Sequence, residues 1–97
     1  MPVRIRTHPG EILHEEFLVP LGMSANALAR ELRVPPNRIT AIVNGTRSVT
    51  ADTALRLARY FGTTPEFWIN LQAAHDLSRA RAESGREIER GVRPRAA

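Results

Sequence analysis

Two short apolar stripes joined by very few residues constrain this chain more than any other feature of it. In "SANALARELR" the residues Ala25, Leu28, Ala29 and Leu32 fall at i, i+3, i+4 and i+7, the pattern of a helix with one buried face. Ser24 stands where an N-cap is wanted, and the small side chains Ala25 and Ala29 allow another helix to come close. In "PPNRITAIVNG" a second stripe follows, made by Ile39, Ile42 and Val43. A proline suits the first turn of that helix, where its missing N–H costs nothing and its fixed φ helps. The Asn44-Gly45 step suits its end. Only "RVP" separates the two patterns.

Helical patterns flank this pair. "HPGEILHEEFLV", residues 8–19, opens with Pro9 and Glu11 and carries Ile12, Leu13, Phe17 and Leu18 on one stripe, with Pro20 expected to stop it. "VTADTALRLARYFG" reads as a fourth helix capped by Thr50, with Asp52 in its first turn and Gly62 at its end. Its expected buried face is Ala54, Leu57, Ala58 and Phe61, with Leu55 beside them. A fifth helix begins near Thr63 or Thr64 with Pro65, and Phe67, Trp68 and Leu71 are its expected anchors. From Ser84 onward "SGREIERGVRPRAA" is polar and broken by glycine and proline, and reads as a fraying end and disordered basic tail. "VRIR" at 3–6 allows a short edge strand. The expected fold is all-α, a five-helix bundle over residues 1–83 with a tail at 84–97.

The chain has 97 residues and no cysteine, enough for one small domain whose core is marginal and gains from dimerisation. No apolar run is long enough for a membrane span, and "MPVRIRTHPGE" lacks the apolar stretch of a signal peptide; a cytoplasmic protein is expected. All 14 basic residues are arginine and the net charge is +4. The charge is unevenly placed: −3 over residues 8–23, +3 over 24–50 and +3 over 79–97. An acidic segment followed by a basic one suggests two surfaces with two kinds of partner.

A short helix, a turn of a few residues and a second short helix form the helix-turn-helix layout, here at about 24–44. The second helix of such a pair lies in the major groove of DNA, its N-terminal residues nearest the base edges. Ile39, Ile42 and Val43 would hold it to the domain, leaving Asn37, Arg38, Thr40, Ala41 and Asn44 on the other face. "NGTRS" then offers Thr46, Arg47 and Ser48 to the phosphate backbone. Arginine suits forked contacts with phosphate or guanine. Three of these residues also have a plainer reading. Arg38 either reads DNA or pairs with a glutamate such as Glu31, Asn44 is read as a helix cap that can also touch phosphate, and Arg47 is a phosphate contact or a solvated loop residue.

Beyond spacing, "HPGEIL", "EEFLVPLGMS", "LARELRVP", "NGTRSVTADTALRLARYFGT" and "PEFWINLQ" together resemble the HigA antitoxin family, a branch of the lambda-repressor-like (XRE) helix-turn-helix proteins. The resemblance covers about residues 7–80. It implies a dimeric antitoxin of a type II toxin–antitoxin pair that binds operator DNA as an autorepressor and silences a small HigB-like, mRNA-cleaving toxin. It places the recognition helix at Pro36 to Val43, with Asn37, Arg38 and Thr40 as readers. Ser24, Asn26 and Arg47 fall at backbone-contact positions. Ala25 and Pro35-Pro36 depart from the glutamine and the hydroxyl residue common in related domains.

Glu11, Glu15 and Glu16 are either an acidic contact for a basic toxin or a solvated face. Phe67, Trp68 and Leu71 are core, or a dimer or toxin contact. No metal site is expected, because "HEEF" lacks the second histidine that a helical zinc pair needs. No nucleophile motif or cofactor-binding motif is present, so neither enzyme nor cofactor is expected. Competing readings are a transcription regulator without a toxin and a helical adaptor that does not bind DNA.

Overall fold

In the computed structural model, which describes residues 4–96, every regular element is helical. Helix α1 occupies residues 9–21, α2 Ala25–Leu32, α3 Pro36–Val43, α4 Ala51–Phe61 and α5 Pro65–Gly91. Four of the five starts use a side chain acceptor. His8, Ser24, Thr50 and Thr64 each take a backbone N–H of the first turn, satisfying one of the donors a helix end leaves orphaned. The exception is α3, where Pro35 sits at the cap and Pro36 in the first turn, with no side-chain bond.

Pro20 does not stop α1, as the sequence suggested. The helix widens into a π-helical turn over Leu13–Leu18, in which the Val19 N–H donates to the His14 carbonyl five residues back, and continues through Pro20 to Leu21. Proline lacks the donor and crowds the carbonyl four residues earlier; the wider turn removes that conflict. Gly22 then ends the helix in the left-handed region, at φ 61°.

Leu13, Leu18, Leu28, Ala29, Leu32, Ile39, Ile42, Val49, Ala54, Leu57 and Trp68 form one core. Both stripes of the α2–α3 pair face it: Leu28, Ile39 and Ile42 are wholly buried. On α4, Ala54, Leu57 and Ala58 are buried as expected, whereas Leu55 is 60% exposed, one position off the stripe. Trp68 is also wholly buried and its Nε1–H donates to Thr63 Oγ1 at 2.8 Å, the partner a buried indole needs. Phe67, next to it, remains 38% exposed.

The expected edge strand does not form: Arg4 to His8 have no regular structure, and Val3 lies outside the described residues. This segment is instead strapped to α5. The Arg6 N–H donates to Ser78 Oγ at 2.8 Å, and His75 Nδ1–H to the Arg6 carbonyl at 2.7 Å. Nor does the last helix fray at Ser84. It runs through Gly85 to Gly91, carried by the strong helix formers Arg and Glu around one glycine.

Candidate nucleic-acid interface

The connection between α2 and α3 owes its tightness to Arg33, which takes the left-handed conformation at φ 60°. That region disfavours side chains other than glycine. It lets the Val34 N–H return to the Ala29 carbonyl at 3.0 Å, so the chain reverses within a few residues, and Val34 drops into the core. Helix α3 thereby lies across α2 with Ile39 and Ile42 inward. Asn37 and Thr40 are exposed on its outer face, and Arg38 and Ala41 partly so.

A second support comes from α1. Gly10 is buried against the backbone of α3, where an added Cβ would overlap the Ile42 carbonyl. Only glycine permits this approach. The sequence pattern marked "HPGEIL" without showing its role, because close backbone contact leaves no periodic signal.

After α3, Asn44 occupies the C-cap and Gly45 turns the chain at φ 78°, so the capping reading of Asn44 holds. Thr46 donates both its N–H, at 2.9 Å, and its hydroxyl, at 3.1 Å, to the Ala41 carbonyl. Val49 re-enters the core, and its N–H donates to Oε1 of the buried Gln72 at 2.8 Å. Between these anchors Arg47 and Ser48 stand exposed. Gln72 is a supporting residue that sequence reasoning missed, since a polar residue on a helix face does not announce its partner.

Ser24 and Asn26 are exposed at the start of α2, whose Ala27 N–H donates to Ser24 Oγ at 3.0 Å. The Thr40 hydroxyl donates to the Pro36 carbonyl at 3.0 Å, so it must rotate to reach another acceptor. Arg38 does not pair with Glu31. Its Nη1 donates to Asp52 Oδ2 at 2.9 Å, and the same oxygen accepts Arg56 Nε at 2.9 Å. Hydrogen bonding to Arg56 first, and then to Arg38, holds the Asp52 carboxyl below the usual carboxylate range. An arginine pairing with an acidic residue on another helix cannot be read from local spacing, which favours partners three or four residues away.

Of the residues expected at a dimer or toxin contact, Trp68 belongs to the core and Leu71 packs partly against it. Glu11, Glu15 and Glu16 are exposed on α1. The histidines divide: His14 pairs with Glu15 at 3.3 Å, while His8 and His75 pack edge to face with ring centroids 4.9 Å apart. Burial, and then the neighbouring His75, push the His8 pKa down against the opposing pull of Asp76. Among the described residues no group of three or more His, Cys, Asp or Glu is placed to hold a metal, and no helix is long and apolar enough to cross a membrane.

Residues 15–68 match the helix-turn-helix family. Virulence-associated protein I of Dichelobacter nodosus is 59% identical over 73 residues, covering 75% of this chain and 68% of that protein. An addiction module antidote protein of the HigA family from Coxiella burnetii is 59% identical and superposes with a TM-score of 0.88, covering 95% of this chain and 100% of the other. The Pseudomonas aeruginosa antitoxin HigA, solved with the higBA promoter, is 44% identical with a TM-score of 0.89, covering 93% and 98%. Two of the three are named as an antidote or an antitoxin, and the lambda-repressor-like bundle expected from the sequence is the one that forms. The chain belongs to the helix-turn-helix family, in its HigA branch.

Proposed function

We propose that this protein is a dimeric antitoxin that binds operator DNA, represses its own transcription and neutralises a small HigB-like toxin that cleaves mRNA. One observation carries the DNA part. Helix α3 is held from behind by Ile39, Ile42 and Gly10 while Asn37 and Thr40 stand exposed, in a chain 44% identical to an antitoxin solved with its promoter. In this reading Asn37, Arg38 and Thr40 face base edges, with Pro36 against the groove wall. Ser24, Asn26, Asn44 and Arg47 face the phosphate backbone. Because Pro36 has no N–H, the first turn of α3 contacts DNA through side chains more than through amides.

Two copies would set their α3 helices in successive major grooves about 34 Å apart. The exposed Leu77, and Ile88 beyond it on α5, support that helix as the face where copies meet. Arginines would displace condensed counterions, so affinity falls steeply with salt. Arg47→Ala is expected to weaken binding to all duplexes alike and to lower the salt slope by about one; an unchanged slope removes Arg47 from the phosphate contacts. The toxin half rests on the family branch, with the exposed acidic residues Glu11 and Glu15 as a candidate contact for a basic partner.

The test joins co-expression with the small reading frame beside the gene to electrophoretic shift on the DNA upstream. Co-purification together with a shifted upstream duplex is the expected result. A shifted duplex without a captured partner reduces the protein to a regulator without a toxin. Failure to bind any duplex at low salt overturns the reading and favours a helical adaptor.

A further inference from the structure

Arg38 is the only charged side chain on α3, and it is not left to itself. Its Nη1 donates to Asp52 Oδ2, and Arg56 Nε donates to that same oxygen, each at 2.9 Å. Arg56 is anchored in turn: its Nη1 donates to the Leu32 carbonyl, at the end of α2, at 2.8 Å. A chain of hydrogen bonds thus runs from the last turn of α2 through two residues of α4 to the first turn of α3. The side chains of Arg38 and Asp52 are 26% and 58% exposed. Exposed pairs of this kind contribute little to folding. Their stronger effect is on where the Arg38 guanidinium rests.

We propose that Asp52 is a positioning residue for sequence reading: it fixes the Arg38 guanidinium at the start of α3 so that its remaining N–H groups meet a guanine edge in one orientation. This rests on the reading of α3 as the DNA-facing helix. A guanidinium has five N–H donors in a rigid fork. Asp52 accepts one, leaving enough for the two-bond contact with guanine O6 and N7 that discriminates best among base pairs. A free arginine at this position would lose its rotamer freedom on binding and would serve a phosphate equally well. One already held has surrendered much of that freedom on folding. The carboxylate also repels phosphates, so it weakens non-specific contact while it sharpens specific contact.

The experiment uses the full chain. Wild-type protein selects duplexes from a randomised library, and fluorescence anisotropy then measures affinity for the enriched duplex and its single-base-pair variants. Asp52→Asn, Arg38→Ala and the double variant are compared with wild type, with circular dichroism confirming that each is folded. Expected for wild type is one G·C pair whose replacement costs about tenfold or more. Asp52→Asn should shrink that ratio while raising affinity for unrelated duplexes. Arg38→Ala should abolish the ratio, and adding Asp52→Asn to it should change the ratio no further. The proposal is overturned if Asp52→Asn scales all duplexes by one factor, or alters the preference equally without Arg38. If wild type enriches no duplex at all, the DNA reading itself fails and takes the proposal with it; that result is visible before any variant is made.

Discussion

Helix α5 is two structures in one. From Pro65 to Ser78 it forms a wall of the bundle, with Trp68, Gln72 and Ser78 buried and the N-terminal segment strapped across it. From Arg79 to Gly91 no residue is buried; Ile88 is 54% exposed, as is Leu77 just before. The near half is specified by packing. The far half is held by helix propensity and by local pairs such as Arg79 Nε to Glu83 Oε1 at 3.0 Å, each worth only about 0.2–0.5 kcal/mol. Isolated helices of such length are marginal in water. If copies meet along α5 as proposed, the far half would gain stability from burying Ile88 and the neighbouring Leu77, whereas the near half is packed mainly within the chain.

Substitutions break this comparison at graded cost. Trp68→Ala removes the largest buried side chain of the near half and should cost about 3–5 kcal/mol of unfolding free energy in a urea titration; a loss under 1 kcal/mol would mean the core is not organised around it. Gly10→Ala forces backbone apart between α1 and α3, an overpacking cost of about 1–3 kcal/mol, and should reduce DNA binding along with melting temperature. Full stability in that variant would show that the two backbones separate freely.

A pH series probes the strap. Burial lowers the His8 pKa in the folded protein, so the unfolded chain binds the extra proton first. Stability should hold above about pH 6.5 and decline as pH falls from there toward the lower folded value. His8→Asn keeps a capping side chain and should flatten that decline; an identical pH profile would remove His8 as its source. Smallest of all on folding, Ile88→Ala should alter monomer stability by no more than about 0.5 kcal/mol, yet weaken self-association in sedimentation. Unchanged association would separate the far half of α5 from the dimer interface.

Local chemistry was legible in the sequence wherever one short segment carried it. Ser24, Thr50 and Thr64 act as caps, Asn44 closes α3, and the stripes of α2 and α3 face inward. What was illegible depends on partners distant along the chain. Asp52 takes Arg38 from fourteen residues away, Gln72 takes the Val49 N–H from twenty-three, and His75 takes the Arg6 carbonyl from sixty-nine. Pro20 misled for another reason. A proline stops an ideal α-helix, but α1 is not ideal there, and nothing in "LHEEFL" betrays a π-turn. Trp68 and Phe67 are adjacent and equally apolar, and only the packed structure divides them between core and surface.

The contact between Gly10 and Ile42 joins two main chains: a Cβ on Gly10 would meet the Ile42 carbonyl first. The approach of α3 to α1 at this point therefore does not depend on which residues α3 displays outward. On the proposed DNA reading, Asn37, Thr40 and Ala41 would be exchanged as letters are changed in a typesetter's frame, with the frame keeping its angle. On that reading, retargeting such a protein would take changes on the outer face of α3 and at Asp52, which holds Arg38, with the glycine beneath left in place.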